Sequence, residues 1–296
     1  MKKPTFKRVH RIFETDNLAT ATVHEYRLNI FQPTRRPKMR DDIFATEWGK
    51  IRIKGKLGQT HADVLEALFF TAEKKRTYKG GKITFIVDPA QVRRVARQEQ
   101  GAGMDNLCFD LIHTAVEIKE PERLACAGSL ISFIDKSGKA GTRPNPKGAK
   151  KPFRNLWEIT LGEVVKRLWE VDILMRHDPR PITVMRHGIS QAVARLVISH
   201  KGQPNGGWYL DTLIAQVCGK LDKISLKHRR KELYQDAKNL SSVGIIVKKG
   251  RVKKRAVYTG KKDKIDKGEQ YIQDEEQYIQ EKISKEQHIQ EVFSKI

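Results

Sequence analysis

Residues 225–258 read SLKHRRKELYQDAKNLSSVGIIVKKGRVKKRAVY, and this stretch decides the fold. Its first half is typical of an amphipathic helix capped by Ser225, because Leu226, Leu233 and Leu240 recur at helical spacing and must face a core. The outer face and its flanks carry long cationic and aromatic side chains, namely Lys227, His228, Arg230, Lys231, Tyr234 and Lys238. A helix that enters the major groove of DNA needs this division of faces. The segment therefore predicts a reading helix, with a solvated lysine face as the alternative.

A basic hairpin follows this helix. Residues 243–249 and 251–258 have the pattern of two strands that turn at Gly250. The hairpin contains no acidic residue, and its cations are Lys248, Lys249, Arg251, Lys253, Lys254 and Arg255. Like charges placed this close repel one another, so their concentration predicts a wing that binds DNA phosphates beside the reading helix.

Elements upstream of the reading helix complete a domain. Residues 189–200 predict an amphipathic helix, Tyr209 and Leu210 a short strand, and residues 212–218 a second helix closed by Gly219. Three helices followed by a hairpin are the order of a winged helix, a variant of the helix-turn-helix in which the hairpin flanks the reading helix.

The same order occurs earlier in the chain. Strands are predicted over 48–54 and 82–87, and helices over 60–72, 90–98 and from Asp105 or Asn106 to about Lys119. Two alternating runs, 124–134 and 156–161, then form a hairpin whose long basic tip spans 135–154. This tip is either an ordered wing or a disordered basic insertion.

The first of these two units has a different charge pattern from the second. The outer strip of its third helix includes Asp110 and Glu117, which would repel DNA. Arg93, Arg94 and Arg97 share the outer face of the preceding helix. We therefore expect this unit to contact phosphates through these arginines and its wing loop, or to serve as a dimerisation domain.

The predicted fold class is α+β, with two tandem winged-helix (helix-turn-helix) domains. We expect a basic N-terminal arm over 1–44, a first winged-helix domain over 45–175, a second over 176–260 and a charged repeat tail over 261–296. The tail repeats a five-residue word at 269–273, 276–280 and 286–290. The spacing changes between the repeats, so no heptad register holds and the tail is predicted to be helical or disordered.

The charge balance limits the partners. The 296 residues include 58 Lys and Arg against 35 Asp and Glu, a formal net charge of +23, which favours a polyanion. No stretch approaches the roughly 18 apolar residues of a membrane span, and no apolar segment follows the charged N-terminus as in a signal peptide. Cys108, Cys126 and Cys218 are widely separated, as is typical of core residues in a reducing cytoplasm. We expect a cytoplasmic protein that binds nucleic acid and no membrane.

The motifs of DNA-processing enzymes are absent from the sequence. A rolling-circle nickase needs a His-apolar-His metal site beside its tyrosine nucleophile, and no two histidines lie two residues apart to serve Tyr234. No GxxxxGK[ST] phosphate-binding sequence occurs, and Asp41 and Asp42 have no second acidic cluster for a two-metal site. We therefore expect a protein that is not an enzyme, with no catalytic residue, no metal and no cofactor.

A diffuse set of motifs links the chain to a known family. The stretch that carries the link runs from Ala192-Val193-Ala194-Arg195-Leu196 through Gly207-Trp208-Tyr209-Leu210 to 225–231 and the turn at Gly244. With residues 60–72 and 157–186 it resembles the replication initiators of iteron-containing plasmids, over about 45–260. The resemblance implies two winged helices that bind direct repeats at an origin, open an adjacent AT-rich segment and help to load the host replication helicase. It also implies homodimers that repress their own gene.

Two other functions need the same residues. A winged-helix transcriptional repressor also recognises a site in double-stranded DNA, and a palindrome in place of direct repeats would distinguish it. An RNA-binding or ribosome-associated protein would bind structured RNA as well as it binds the duplex. Plasmid replication initiation is the function that the sequence favours.

Overall fold

The structure is a computed structural model that describes residues 9–14, 18–46, 49–78, 81–98, 101–119, 125–146, 149 and 151–255. The predicted tail, 261–296, lies outside these ranges together with its repeated word. Helices and strands intermix along the described chain, which confirms a mixed α and β fold. None of the helices in these ranges has the length and apolar composition that a membrane span requires.

The helices and strands have the following bounds. The helices are α1 Val23–Arg27, α2 Gln59–Phe70, α3 Pro89–Val95, α4 Gly101–His113, α5 Glu163–Val171, α6 Arg180–Thr183, α7 Gly188–Ile198, α8 Leu210–Cys218, α9 Lys223–Gln235 and α10 Ala237–Ser242. The strands are β1 Val9–Glu14, β2 Ala19–Thr22, β3 Arg40–Thr46, β4 Gly49–Gly55, β5 Ala72–Tyr78, β6 Ile83–Val87, β7 Ala115–Lys119, β8 Ala125–Gly128, β9 Ile131–Asp135, β10 Thr142–Pro144, β11 Phe153–Asn155, β12 Trp157–Leu161, β13 Leu174–His177, β14 Trp208–Tyr209, β15 Ile245–Lys248 and β16 Arg251–Lys254.

A first hydrophobic core surrounds α2, which is buried along almost its whole length. One side of this core is a sheet of order β1-β5-β6-β12-β9, and a second sheet has the order β3-β4-β7-β8. Trp169 of α5 packs on Phe69 and Phe85, with ring centroids 5.0 and 5.9 Å away. The predicted hairpin of residues 124–134 and 156–161 is present only in part. Strand β9 pairs with β12 as expected. Residues 125–128 form the separate strand β8, which pairs with β7 in the second sheet.

A second core lies under α7, α8 and α9. Leu213, Leu233 and Val252 are fully buried in it, and Val252 belongs to a sheet of order β14-β16-β15. Strands β15 and β16 meet at a two-residue turn in which Lys249 and Gly250 have φ of 48° and 71°. Two successive positive φ angles are typical of the type I′ turn, whose twist matches that of a hairpin.

The two cores meet where α7 packs against α2, and a charged cluster is buried there. Arg195 of α7 donates from Nε to Glu66 Oε1 at 2.6 Å and from Nη2 to Asp63 Oδ1 at 2.8 Å. The same guanidinium donates to the side-chain oxygen of Gln59, and Tyr26 donates its hydroxyl to Glu66 at 2.8 Å. A buried cation is tolerated only when carboxylates and hydrogen bonds surround it, so this cluster fixes α7 on α2.

The predicted N-terminal arm differs from the structure. Residues 18–46 contain β2, α1 and β3, and Leu28, Ile30 and Phe31 are buried in the first core. Their apolar positions are close in sequence but follow neither a helical nor a strand period, because a loop carries them into the core. The remaining boundaries of the predicted domains stay predictions.

The third helix of the first unit also differs from the prediction, which extended it to about Lys119. Helix α4 ends at His113, and residues 115–119 form β7. In this strand Val116 and Ile118 are buried while Ala115 and Lys119 are exposed. This alternation, with β-branched residues inward, fits a half-buried strand. Strand β5, which follows α2 directly, was not predicted.

The predicted reading helix is shorter than expected. Asp222 rather than Ser225 caps it, and the helix breaks at Asp236 into α9 and α10. The Asp236 carboxylate is buried and accepts the backbone N–H groups of Arg186 and His187 at 3.0 and 2.9 Å. An Asp that satisfies amides outside its own helix favours such a break.

Candidate nucleic-acid interface

Helix α9 presents most of its predicted contact residues to solvent. The Asp222 carboxylate accepts from the backbone N–H groups of Ile224 and Ser225 at 2.9 Å each, which fixes the first turn. The Ser225 hydroxyl also donates to it, and these hydrogen bonds hold the pKa of Asp222 below its usual value. Leu233 faces the second core. Of the predicted contact residues, the exposed ones on the other faces are Lys227, His228, Arg230, Lys231 and Tyr234, and Lys238 is exposed on α10. Ile224, at 71% exposure, lies in the first turn of the same helix.

Arg230 differs from its neighbours because it already has a partner. Its Nε lies 2.6 Å from Oδ1 of Asp211, a residue of α8, and both side chains are about half exposed, at 45% and 47%. The hydrogen bond from Arg230 holds the pKa of the Asp211 carboxyl below its usual value. Lys227 and Lys231 form no ion pair with any described residue. The free cations of this face are therefore the lysines, and Arg230 must leave Asp211 to reach a base.

Tyr234 joins α9 to the hairpin. Its hydroxyl oxygen accepts the backbone N–H of Gly250 at 3.1 Å, at the turn between β15 and β16. The ring is 44% exposed. This hydrogen bond holds the turn of the hairpin beside α9, so the turn and the helix can contact the same ligand.

The outer face of the hairpin is cationic. Arg251 lies 3.4 Å from the centroid of the Tyr209 ring and donates to the carbonyl of Gly207 at 3.2 Å. The exposed cations that surround this stack are Lys248, Lys249, Lys253 and Arg255. Tyr209 is itself 60% exposed, so the stack is an accessible aromatic and cationic surface next to the turn of the hairpin.

The Lys254 side chain points towards the end of α7 and not towards the outer face of the hairpin. The structure thus gives it a role that the sequence did not indicate. Its ammonium donates to the carbonyls of Ile198 and His200 at 3.3 and 2.6 Å, at the end of α7. Burial lowers the pKa of Lys254. A lysine that binds the last carbonyls of a helix stabilises that helix end. We therefore expect no phosphate contact from Lys254, in contrast to the sequence-based interpretation.

The three predicted arginines of the first unit lie together on and just after α3. Arg94 and Arg97 are exposed and Arg93 is half-buried. They line one side of a groove of about 950 Å³, to which the fold adds Arg35 and Arg186 from other parts of the chain. Sequence reasoning missed these two as site residues, because only the tertiary fold brings them to α3.

The acidic strip and the basic tip of the first unit have internal partners. Asp110 of α4 lies 3.0 Å from Nε2 of the buried His61, and Glu117 belongs to β7 and not to this helix. In the tip, Arg154 pairs with the buried Asp88 at 2.6 Å and Arg143 pairs with Glu73 at 3.0 Å. Residues of the tip form the β10–β11 hairpin, so the described part of the tip is ordered and its charge is partly neutralised.

No group of three or more His, Cys, Asp or Glu side chains in the described ranges is arranged to hold a metal ion. No known protein family matches the chain, and no curated protein matches its sequence. Two solved structures overlap most of it. The crystal structure of selenomethionine derivatives of domain 2 and domain 3 of RctB is 11% identical with a TM-score of 0.48, covering 79% of this chain and 95% of that one. Another crystal structure of RctB domains 2-3 is 12% identical with a TM-score of 0.47, covering 77% and 94%. These identities are too low for any functional residue to be carried over.

Proposed function

We propose that this chain is a sequence-specific double-stranded-DNA-binding protein whose second unit is a winged helix. The order of α7, α8, α9 and the β15–β16 hairpin supports this proposal, since a hairpin beside an exposed third helix is the arrangement of that fold. In the proposal α9 enters the major groove, and Lys227, His228, Arg230 and Lys231 approach base edges. The hairpin is the wing and binds backbone phosphates.

One observation carries the proposal. The outer faces of α9 and of the hairpin are both cationic, and the Tyr234 to Gly250 hydrogen bond holds them beside each other. A single rigid polyanion with a groove can contact both faces at once. Duplex DNA has this shape, with phosphates on the ridge and base edges in the groove.

The finer function that we propose is plasmid replication initiation. The protein binds direct repeats at an origin in the cytoplasm, promotes local melting of an adjacent AT-rich segment and helps to load the host helicase. A homodimer acts as a repressor of its own gene. We expect no nicking or ATPase activity, because the sequence contains neither the His-apolar-His pattern of nickases nor a GxxxxGK[ST] phosphate-binding pattern. The resemblance of residues 189–247 to iteron-binding initiators supports this assignment.

Fragments of the DNA that surrounds the coding region test the proposal. The full chain is mixed with these fragments at fixed salt, and scrambled duplex or structured RNA is added as competitor. We expect one fragment with an array of direct repeats to be retained against both competitors. Structured RNA that competes as well as the retained fragment would refute duplex recognition, and a single palindrome in place of repeats would identify a repressor.

A further inference from the structure

The groove lined by Arg35, Arg93, Arg94, Arg97 and Arg186, called here the arginine groove, is outside the winged helix. We propose that it is a second phosphate-binding site that holds the DNA backbone beyond the end of α9. This inference rests on the proposed function and deepens it. It adds a contact made by the first unit and by the segment between α6 and α7.

The charge of the arginine groove is the first argument. Among the described residues, its walls include five arginines and no acidic side chain, within a volume of about 950 Å³. Arg93, Arg94, Arg97 and Arg186 form no ion pair with any described residue. Arg35 forms no ion pair with a described residue; it donates to the backbone carbonyl of Met185 at 3.1 Å. Burial raises the pKa of the Asp63 carboxyl, and the charge of Arg35 acts to lower it. Five guanidinium groups repel one another unless an anion lies among them, so the groove is built for a polyanion.

The contrast with nearby arginines strengthens this argument. Arg180 is in the same segment of the chain as Arg186, and its guanidinium lies against the Asp178 carboxylate at 2.6 and 2.9 Å. Arg143 and Arg154 also face carboxylates. Among the described residues, carboxylates therefore pair with these arginines around the groove, whereas no arginine inside it forms an ion pair.

The backbone of Arg97 is the second argument. Arg97 has φ of 54°, and it follows α3 at the position where a helix normally ends on glycine. The backbone N–H of Gln98 donates to the carbonyl of Arg93 at 2.9 Å, which is the hydrogen bond that defines this kind of helix end. A side chain in this conformation destabilises the protein relative to glycine, so an arginine at this position supports a binding role for its guanidinium.

Contacts within the protein fix the walls of the arginine groove in the absence of ligand. Gly188 lets the backbone of Thr34 and Arg35 pack against the start of α7, because a Cβ there would lie 2.6 Å from Thr34 Cα and 2.8 Å from Arg35 N. On the other side, the amides of Arg186 and His187 bind the buried Asp236 carboxylate at 3.0 and 2.9 Å. Asp236 lies directly after α9, so the groove begins at the C-terminal end of the proposed reading helix.

The ligand chemistry is that of a phosphodiester chain. Guanidinium groups bind phosphate oxygens through two parallel N–H groups, and several of them around one groove favour a ligand with several phosphates. The duplex that α9 and the wing hold would continue past the end of α9 towards Arg186. We therefore assign the groove to the backbone of the same duplex rather than to an acidic protein segment.

A double variant and a single-substitution control test the assignment in the full chain. Arg93→Ala combined with Arg186→Ala removes two unpaired groove cations, and Arg180→Ala removes one paired cation outside this set. Binding to the specific duplex and to a scrambled duplex is measured across a salt series. We expect the slope of log Kobs against log salt to fall by about 0.9 for each phosphate that the variant no longer binds, on both duplexes, with the thermal unfolding midpoint unchanged. The Arg180→Ala slope should equal that of the wild type.

Several outcomes would overturn the assignment. A double variant that is folded and keeps the wild-type slope would do so, as would an Arg180→Ala variant whose slope falls by as much. Groove variants that bind DNA more tightly than the wild type would point to release of an acidic segment of the chain, such as the tail with its nine acidic residues and seven lysines. The proposed function has a separate test. It fails if substitutions at Lys227 and Lys231 leave the ratio of specific to scrambled binding unchanged. The two failures are distinguishable, because the groove test measures the salt slope and not that ratio.

Discussion

Non-glycine residues with positive φ are few in the described chain, and two of the three are cations of the proposed interface. They are Arg97 at 54° and Lys249 at 48°, and the third is Asn29 at 52°. A side chain in this region costs roughly 1 kcal/mol relative to glycine. At the scale of single residues, we therefore propose that DNA binding, and not stability, is the reason for a cation at Arg97 and Lys249.

Arg97→Gly separates the effect of this position on stability from its effect on DNA binding. We expect the free energy of unfolding to stay the same or rise by up to about 1 kcal/mol, because glycine adopts this backbone without strain. The affinity for DNA should fall, and the salt slope should drop by about 0.9. Arg94→Gly is the matched control, since it removes a charge from the same groove but lowers stability by about 1 kcal/mol inside α3. Urea denaturation and fluorescence anisotropy measure the two quantities, and a less stable Arg97→Gly protein would contradict the argument.

Lys253 and Lys254 are neighbours in β16 with opposite expected roles. Lys253 is exposed, so Lys253→Ala should lower the salt slope by about 0.9 on any duplex and change stability by less than about 0.5 kcal/mol. Lys254→Ala should leave the slope unchanged and destabilise the protein by about 1–3 kcal/mol, because the carbonyls of Ile198 and His200 lose their donor. Equal slopes for the two variants would refute this separation.

At the scale of elements, α9 is positioned by its own cap and by the hairpin, while Asp211 of α8 restrains Arg230 through an ion pair. Asp211→Asn should release Arg230 and raise the affinity for the specific duplex by up to about tenfold, which is about 1.4 kcal/mol. Arg230→Ala in the same chain should abolish the gain. Glu232→Gln is the control, because it removes a similar charge from α9 where Arg229 is the partner at 2.9 Å. A gain of the same size in Glu232→Gln would show that the effect is net charge alone.

The sequence predicts elements well where one face of the element is buried and the other is polar. Helix α8 and the β15–β16 hairpin lie close to their predicted bounds, because period and turn residues agree there. For residues 115–119 the prediction of helix is wrong, since a run with Val116 and Ile118 continues the apolar pattern of α4 in either conformation. Periodicity cannot distinguish the two in so short a run, and the decision comes from pairing with β4 and β8.

Part of the candidate site could likewise be predicted from the sequence, and part could not. The cations of α9 and of the hairpin are local in sequence, so their pattern by itself predicts a binding surface. The arginine groove joins Arg35, Arg97 and Arg186, and only packing of α7 against residues 34 and 35 brings them together. The inward direction of Lys254 was equally beyond the sequence, because it depends on where α7 ends.

For the whole molecule, the buried cluster around Arg195 determines whether the two cores act as one body. Arg195→Leu would leave Asp63 and Glu66 buried without their cation, and we expect it to lower the free energy of unfolding by about 3–5 kcal/mol. Arg229→Ala, which breaks an ion pair whose side chains are 34% and 30% exposed, should cost less than about 1 kcal/mol. Urea denaturation followed by circular dichroism measures both variants. A loss for Arg195→Leu no larger than for Arg229→Ala would mean that the cluster does not join the cores.

The same region makes stability depend on pH through Glu25. This carboxyl is buried, and its Oε2 atom has no hydrogen-bond partner among the described residues. Burial, and next the charge of Glu66, raise the pKa of Glu25 from 4.5 to about 8. Burial would also raise the pKa of Glu66, but Arg195 outweighs it and holds that pKa well below its usual range, so Glu66 stays ionised beside Glu25.

The direction of the pH effect follows from proton binding. Above pH 4.5 the unfolded chain has lost the Glu25 proton, while the folded protein keeps it until about pH 8. Stability therefore falls as the pH rises through this window, by an amount on the order of a few kcal/mol, since each unit of pKa difference corresponds to about 1.4 kcal/mol. Glu25→Gln keeps the shape of the protonated side chain and cannot titrate. We expect the variant to match the wild type near pH 5 and to be more stable at pH 8.5, as measured by urea denaturation at both values. Parallel pH profiles for the two proteins would show that Glu25 is ionised in the folded state, and the charge balance around Arg195 would then have to include a third carboxylate.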